Sequence, residues 1–288
     1  MLARLPELIA DASARWGLRD VQPVPNLSYN FVAFAKQGEG DVVLKIGVPR
    51  GELASEMAAL RLFNGDGACR LLECDEERGM SLLERLSPGT MLSELEDDDE
   101  RTHIAIDVMQ KLWRPMESSG KPLAQEQAPA LQKFIRLSDW FDGLKEIRPH
   151  FDGGTGPFPK EILERVEASL PGLFDDDARL MHGDFHHYNI LKSERGWLGI
   201  DPKGVIGPVG YEIGPLMLNP WIKPMDRSRL KVQTERRVDI IRERLGWERR
   251  RIIQWALAHA VLSAWWDVED GMDWEYPLEC AEIFSKIK

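Results

Sequence analysis

The pattern of hydrophobic and polar positions divides the chain into two parts of different texture. In the first part, β-type runs at 28–35 and 41–48 flank a glycine turn, and runs at 70–74 and 80–86 form a second predicted hairpin. Apolar residues at helical spacing predict helices over 4–16 and 52–63. The sequence Ser87-Pro88-Gly89 then breaks the pattern.

Helical patterns dominate beyond residue 90, and a short β-like island at 179–181, 190–192 and 197–200 interrupts them. The predicted helices cover 101–116, 130–147, 160–170, 229–245, 248–268 and a segment near the C-terminus. The pattern therefore predicts an α+β fold of two lobes. A small β-rich lobe is expected over 1–86, and a larger, mainly helical lobe over 87–288.

Composition narrows the class of protein. The chain has 288 residues, of which 43% are hydrophobic and 30% charged, as in soluble globular proteins. Its 37 basic and 48 acidic residues give a net charge of −11, which disfavours a nucleic-acid partner and favours small cationic ligands. We find neither a signal peptide nor an apolar stretch long enough to span a membrane. Three cysteines without a CxxC pair fit a reducing compartment, so we expect a cytoplasmic monomer with no membrane partner.

The segment 181–191 carries the most informative motif. His182, Asp184 and Asn189 fit the pattern H-x-D-x-x-x-x-N, and Asp201 follows at the end of the next predicted hairpin. This is the arrangement of a phosphoryl-transfer site, with a catalytic-loop carboxylate followed by two metal ligands. Asp184 would accept the proton of the substrate, and His182, in the same catalytic set, is expected to brace the loop. Asn189 and Asp201 supply the hard oxygen ligands that Mg²⁺ prefers.

A zinc site is an alternative interpretation of the same segment, because His182, His186 and His187 lie close together in sequence. Such a site would make the protein a metal hydrolase. No His-x-x-x-His helix or CxxC pair supports it.

Lys45 is the main candidate in the first lobe, since it lies within the apolar run 42–46. A lysine buried there costs several kcal/mol unless it meets negative charge. A nucleotide phosphate together with Glu56 of the following helix would satisfy it; the alternative is an edge-strand lysine that reaches water. Two further pairs are candidates for nucleotide binding by position alone: Ser28 and Asn30 in a phosphate-covering loop or a plain turn, and Glu84 and Leu86 in the connection between the lobes.

Three stretches carry a resemblance to a known family: Leu180–Leu191, Gly199–Gly214 and Leu83–Leu86. The sequence resembles the aminoglycoside phosphotransferase-like kinases, and within them the streptomycin 6-phosphotransferase and hydroxyurea kinase branch. The run Asp201-Pro-Lys-Gly-Val-x-Gly is typical of that branch.

The resemblance implies a bilobal kinase-like fold that uses ATP and Mg²⁺. It also implies transfer of the γ-phosphate to a hydroxyl of an aminoglycoside such as streptomycin, or to a hydroxyurea-like compound. By matching motif, Asp184 is the base, Asn189 and Asp201 are the metal ligands, Lys45 contacts phosphate and Glu56 is its partner. A kinase-like nucleotide-binding protein without turnover, and a kinase of an unrelated metabolite, are the alternatives.

The motif also departs from protein kinases. Asp201-Pro-Lys stands where they have Asp-Phe-Gly, and no long activation loop fits before Tyr211-Glu212. We therefore expect a constitutively active enzyme in which Glu212 anchors the loop after Asp201.

Charge and aromatic clusters supply the remaining candidates. The basic run 226–251 and the acidic run 94–100 are interpreted as solvated helix faces, with an anion patch and a recruiter of cationic substrates as the respective alternatives. Trp266, together with Asp267, Glu269 and Asp270, is a candidate site for a cationic substrate. A core position is the alternative for the tryptophan.

Overall fold

The computed structural model describes residues 4–25, 30–49, 51–115, 117–118, 121–122 and 133–288. Ten helices are present in this part of the chain: α1 Leu5–Trp16, α2 Glu52–Phe63, α3 Asp98–Leu112, α4 Leu137–Asp142, α5 Ile147–His150, α6 Lys160–Leu173, α7 Ile213–Leu218, α8 Arg227–Leu245, α9 Arg249–Glu269 and α10 Glu275–Phe284. The same part holds fourteen strands: β1 Leu18–Pro23, β2 Phe31–Gln37, β3 Gly40–Ile46, β4 Leu71–Asp75, β5 Met80–Glu84, β6 Pro88–Met91, β7 Arg114–Pro115, β8 Glu117–Ser118, β9 Lys121–Pro122, β10 Ile135–Arg136, β11 Ala178–Met181, β12 Ile190–Ser193, β13 Gly196–Gly199 and β14 Val205–Pro208.

The small lobe is a five-stranded antiparallel sheet with the strand order β1-β2-β3-β5-β4. Helix α1 packs Leu8, Ala12 and Trp16 into one cluster with the residues of one sheet face. Because side chains alternate along a strand, Leu44 and Ile46 join this cluster and Lys45 points to the opposite face. The alternation thus directs a buried lysine toward the space between the lobes.

Helix α2 lies between the two lobes. Its buried residues Ala58, Ala59, Leu60 and Phe63 belong to a hydrophobic cluster that also contains Leu83 of β5 and the core of the large lobe, and not to the cluster around α1. The helix that carries Glu56 is therefore held by hydrophobic packing in the core that the two lobes share.

The large lobe surrounds α9, a central helix with buried residues along most of its length. Strand β6 follows the small-lobe sheet and pairs with β12, so the proposed division at residue 86 falls between these two pairing systems. The segment 182–189 connects β11, which pairs with β14, to the hairpin of β12 and β13. Two sheets thus hold both ends of the predicted catalytic segment. Within the described residues, no helix combines the length and apolarity needed to cross a membrane.

The acidic run 94–100 and the basic run 226–251 are in contact through ion pairs between α3 and α8. Asp97 caps α3 by accepting hydrogen bonds from the backbone N–H groups of Asp99 and Glu100. Asp98 binds Arg237 of α8, with an N–O distance of 2.6 Å, and Asp99 binds a neighbouring arginine of that helix. The acidic and basic helices therefore neutralise one another at their contact.

The structure differs from the sequence expectation in two main places. Strand β1 was not predicted, because an edge strand that is mostly exposed lacks the alternation of apolar residues. The helix expected over 130–147 starts only at Leu137, because residues 135–136 pair with 205–206 in a parallel bridge. Strand pairing thus overrides the helical spacing of the apolar residues there, while residues 130–132 lie outside the described part.

Candidate active site

The loop that carries Asp184 turns sharply after β11. Gly183 has a φ of +86°, and a Cβ atom at this position would lie 2.2 Å from Cγ2 of Val205, so only glycine fits. The N–H of Gly183 donates to Oε1 of Glu212 at 2.7 Å. Burial raises the pKa of Glu212 to about 8, so its carboxyl group is protonated at neutral pH. Glu212 thus anchors the loop before Asp184, whereas the sequence placed it at the loop after Asp201.

His182 has a positioning role. The ring is buried, and burial lowers its pKa to about 4, so it is neutral. Nε2 lies 2.8 Å from the carbonyl oxygen of Ile200, and Nδ1 accepts the N–H of Asp184 at 3.2 Å. Both ring nitrogens are therefore used to join the two loops, and the ring is not free to act on a substrate proton. These contacts agree with the bracing role expected from the sequence within the catalytic set, and they give His182 a positioning role.

The histidines of the segment do not converge on a common point. His187 is buried, and His186 lies beside Asp184, with 3.5 Å between its Nε2 and Oδ1 of the carboxylate. Among the described residues, no three His, Cys, Asp or Glu side chains could hold a metal ion together. The zinc hydrolase interpretation has no geometric support.

Asp184 faces the space between the lobes, with 40% of its side chain exposed. Burial opposes its ionisation, but electrostatic attraction, from His186 first and also from Lys203, outweighs that effect and holds its pKa below the ordinary value. Nδ2 of Asn189 donates to the backbone carbonyl of Asp184 at 3.0 Å. The carboxylate is thus ionised at neutral pH, and the backbone that carries it is held by Asn189.

Lys45 lies at the centre of a three-residue cluster. Its Nζ donates to both carboxylate oxygens of Glu56, at 2.8 and 2.7 Å, and to Oδ1 of Asp201 at 3.0 Å. Burial disfavours the ammonium form, yet the two carboxylates outweigh it and raise the pKa of Lys45. Two carboxylates share a single ammonium group, which leaves excess negative charge on Asp201, the half-exposed member (50%).

Asn189 and Asp201 are brought together by the hairpin of β12 and β13. The N–H of Ile200 donates to the backbone carbonyl of Asn189 at 2.9 Å, so the residues at the two ends of the hairpin are neighbours. A carboxylate with uncompensated charge next to an amide group suits a hard divalent cation such as Mg²⁺. The donor set therefore fits the metal that the motif implies.

The other candidates for nucleotide binding are placed differently. Glu84 accepts hydrogen bonds from Nε of Arg195 at 3.1 Å and from the N–H of Arg70 at 3.0 Å, so its carboxylate joins the lobes. The sequence made Glu84 a candidate by position alone, and its side chain is occupied by these contacts, so only its backbone is left for a nucleotide. Leu86 is buried in the core of the large lobe, which leaves only its backbone for a nucleotide. Asn30 packs beside Gly47, and Ser28 lies outside the described residues.

A cavity of about 910 Å³ opens beside Asp184. Trp266, Glu269 and Asp270 line it, as does Asp267, so the structure brings the sequence-predicted acceptor residues to one site. The other lining residues are Glu52, Trp140, Gly183, Asp184, His186, Tyr188, Lys203, Tyr211, Pro215, Leu218, Asn219, Trp221, Lys223, His259, Ser263 and Met272.

Several of these lining residues had no assigned role from sequence. Trp140, whose ring meets Trp266 edge to face at 5.3 Å, comes from a distant short helix and gives no sequence signal. Lys203 also had no assigned role, but the sequence held a signal for it, since it belongs to the Asp-Pro-Lys run. Together, the fold and this site define a bilobal, kinase-like phosphotransferase with a hydroxyl-bearing small molecule as acceptor.

Comparisons with known proteins agree with this class. The family model described as aminoglycoside/hydroxyurea antibiotic resistance kinase matches residues 15–271. A streptomycin 6-kinase of Streptomyces griseus is 30% identical over 94% of this chain and 85% of the relative. A hydroxyurea phosphotransferase of Kitasatospora aureofaciens is 32% identical over 93% of this chain and 74% of the relative. The chain therefore belongs to the aminoglycoside/hydroxyurea antibiotic resistance kinase family.

Solved structures show the same fold at low sequence identity. A mutant of aminoglycoside phosphotransferase APH(4)-Ia, in complex with ADP and hygromycin B, gives a TM-score of 0.63 at 12% identity, covering 96% of this chain and 97% of that one. A choline kinase from Streptococcus pneumoniae gives 0.60 at 14% identity, covering 98% of both chains.

Proposed function

We propose that the protein transfers the γ-phosphoryl group of ATP, with Mg²⁺, to a hydroxyl of a cationic aminoglycoside such as streptomycin. The observation that carries the proposal is the cavity of about 910 Å³, which has Asp184 in its wall and three acidic residues at one end. Relatives that act on streptomycin support the same substrate class.

The size of the cavity favours a large acceptor. Hydroxyurea, the substrate named for another relative, is not much larger than urea and would leave most of the space to water. The indoles of Trp140 and Trp266 offer flat apolar walls, on which guanidinium groups stack well. An acceptor with several rings and guanidinium groups therefore fits better than a small amide.

The electrostatics favour a positive charge on the acceptor. Burial, followed by repulsion from Asp273 and Asp270, raises the pKa of Asp267 to about 6. Burial and the charge of Asp270 also raise the pKa of Glu269. Carboxylates that disfavour one another's ionisation gain when a cation lies between them.

The proposed reaction uses the groups around Asp184. Asp184 accepts the proton of the acceptor hydroxyl while that oxygen forms a bond to the γ-phosphorus, and the bond from phosphorus to the β-phosphate oxygen breaks. Lys45 would hold the nucleotide phosphates, and Asn189 and Asp201 would hold the metal. Bound Mg²⁺ supplies positive charge that offsets the negative charge of the phosphates.

An ADP-release assay with Mg²⁺ and a panel of acceptors tests the proposal. We expect turnover with streptomycin and a KM that rises with ionic strength, because salt screens the attraction of a cation over about 8–10 Å. Mass spectrometry of the product should show one added phosphate. Salt-independent turnover of hydroxyurea with streptomycin inert would contradict the cationic acceptor.

The pKa of Asp267 predicts a pH dependence. Its carboxyl group is neutral below about pH 6 and charged above it, so a cationic acceptor binds better as the pH rises. We expect KM for streptomycin to fall roughly three- to five-fold between pH 5 and 7, the scale of a partly exposed ion pair. Asp267→Asn should remove most of this change, and Glu161→Gln, at an exposed site on α6, should retain it. An unaltered KM profile in Asp267→Asn would exclude the carboxylate from acceptor binding.

A further inference from the structure

Lys203 makes a contact between the lobes that the functions assigned above do not use. It lies two residues after Asp201, and its ammonium group binds the carboxylate of Glu52 in the first turn of α2. Both side chains line the cavity together with Asp184. The pair therefore spans the mouth of the space in which phosphoryl transfer would take place.

Lys203 differs from the other lysines around the cavity in the groups that its positive charge acts on. Lys45 is already bound by two carboxylates. Of the described residues that line the cavity, two are lysines: Lys203, and Lys223, which lies 4.2 Å from the ring centroid of Trp221. The charge of Lys203 acts on Asp184, whereas Lys223 belongs to a surface loop of the large lobe.

The backbone of Lys203 is fixed, while its side chain has room to move. The N–H groups of Lys203 and Gly204 both donate to the carbonyl of His182, at 2.7 and 3.1 Å. Oγ of Ser55 donates to the carbonyl of Gly204 at 2.8 Å. The side chains of Lys203 and Glu52 are 31% and 62% exposed, so their ion pair contributes little to stability and is easily exchanged.

We propose that Lys203 is a further catalytic residue that changes partner on ATP binding. In the free enzyme it binds Glu52; when ATP is present it donates hydrogen bonds to the non-bridging oxygens of the γ-phosphoryl group. It retains its proton throughout. The acceptor proton still goes to Asp184, the bond from the acceptor oxygen to phosphorus forms, and ADP leaves. This inference rests on the proposed function.

The physical need for such a group follows from the charges present. The γ-phosphoryl group would approach the ionised carboxylate of Asp184, and the two repel each other. An ammonium group that acts on both reduces this repulsion during transfer, when negative charge spreads over the phosphoryl oxygens. When Lys203 leaves Glu52 for the phosphate, it replaces one anionic partner with another. Its ammonium group is therefore never left unpaired.

Calorimetry of nucleotide binding tests the exchange without turnover. Lys203→Met keeps the aliphatic stem and removes the charge. We expect it to weaken MgATP binding about ten-fold, as for loss of a charged hydrogen bond, and to leave MgADP binding unchanged. Lys145→Met, at an exposed position 75% accessible, is the matched control and should change neither affinity. Equal affinities of Lys203→Met and the parent protein for MgATP would overturn the proposal.

The partner variant gives an effect of opposite sign. Glu52→Gln releases Lys203 from its competing carboxylate, so MgATP should bind a few-fold more tightly. In the Lys203→Met background the same change should have no effect, because a double-mutant cycle reports the coupling between the two residues. An equal gain in both backgrounds would show that Glu52 acts directly on ATP, and would overturn the exchange.

Turnover separates this inference from the proposed function. Lys203→Met should lower kcat roughly 100-fold, the scale for loss of one charge-stabilising donor, with KM for the acceptor unchanged. If the parent enzyme turns over streptomycin and the variant matches its kcat, the role of Lys203 is wrong and the function stands. If the parent enzyme phosphorylates no aminoglycoside, the function is wrong, and the MgATP and MgADP affinities still decide the role of Lys203. Thermal unfolding of each variant verifies that it is folded.

Discussion

Replacing Asp184 with Asn is expected to lower kcat by roughly two to four powers of ten, the usual range for loss of a general base. The amide has the shape of the carboxylate, and the hydrogen bond from Asn189 to the backbone carbonyl of residue 184 does not depend on the side chain. The loop should therefore keep its conformation, and MgATP should bind with near-normal affinity. Steady-state ADP release and calorimetry measure the two quantities.

Asp175→Asn provides the control for this substitution, because it makes the same chemical change at an exposed position outside the cavity. It should leave kcat unchanged. If Asp184→Asn turned over at a rate near that of the parent enzyme, Asp184 would not be the base.

Loss of Asp201 should have the second large effect. Asp201→Ala removes the half-exposed carboxylate that carries the excess charge of the Lys45 cluster. We expect MgATP affinity to fall by roughly 100-fold or more, since groups that merely support a metal ligand already contribute 10–100-fold. Asn189→Ala should cost less, roughly ten-fold, because an amide offers a hard cation a dipole and not a full charge.

Metal-free titrations separate a metal ligand from a phosphate contact. In EDTA, Asp201→Ala should bind ATP at least as well as the parent protein, because the substitution removes a negative charge from the cleft and leaves Lys45 bound to Glu56. An equal loss of ATP affinity with and without Mg²⁺ would place Asp201 outside the metal site.

The parts of the site that the sequence predicted are encoded locally. Helix α2 begins and ends where the apolar spacing placed it, at Glu52 and Phe63. The apolar run 42–46 likewise indicated that Lys45 is an isolated charge in an apolar strand. Asp184 and Asn189 lie in the segment between β11 and β12, and Asp201 directly follows the hairpin of β12 and β13, so the motif and the short hairpin that follows it already place the three residues close together.

The parts that the sequence missed depend on distant contacts. The side chain of Glu84 binds Arg195, which is 111 positions away, and no local pattern predicts such a pairing. Trp140 reaches the cavity from a short helix that starts later than its apolar spacing suggests, because a two-residue strand precedes it. The direction of a side chain from a helix is set by what the helix packs against, and sequence spacing alone does not give it.

The packing of α2 has a consequence for whether the enzyme needs an activation step. To separate Glu56 from Lys45, α2 would have to withdraw Leu60 and Phe63 from the hydrophobic cluster that joins the two lobes, at roughly 1.5–3 kcal/mol for each side chain exposed to water. A resting conformation with this helix displaced would therefore be rarely populated. We therefore expect the enzyme to be active as soon as it is folded, without a separate step that brings Glu56 to Lys45.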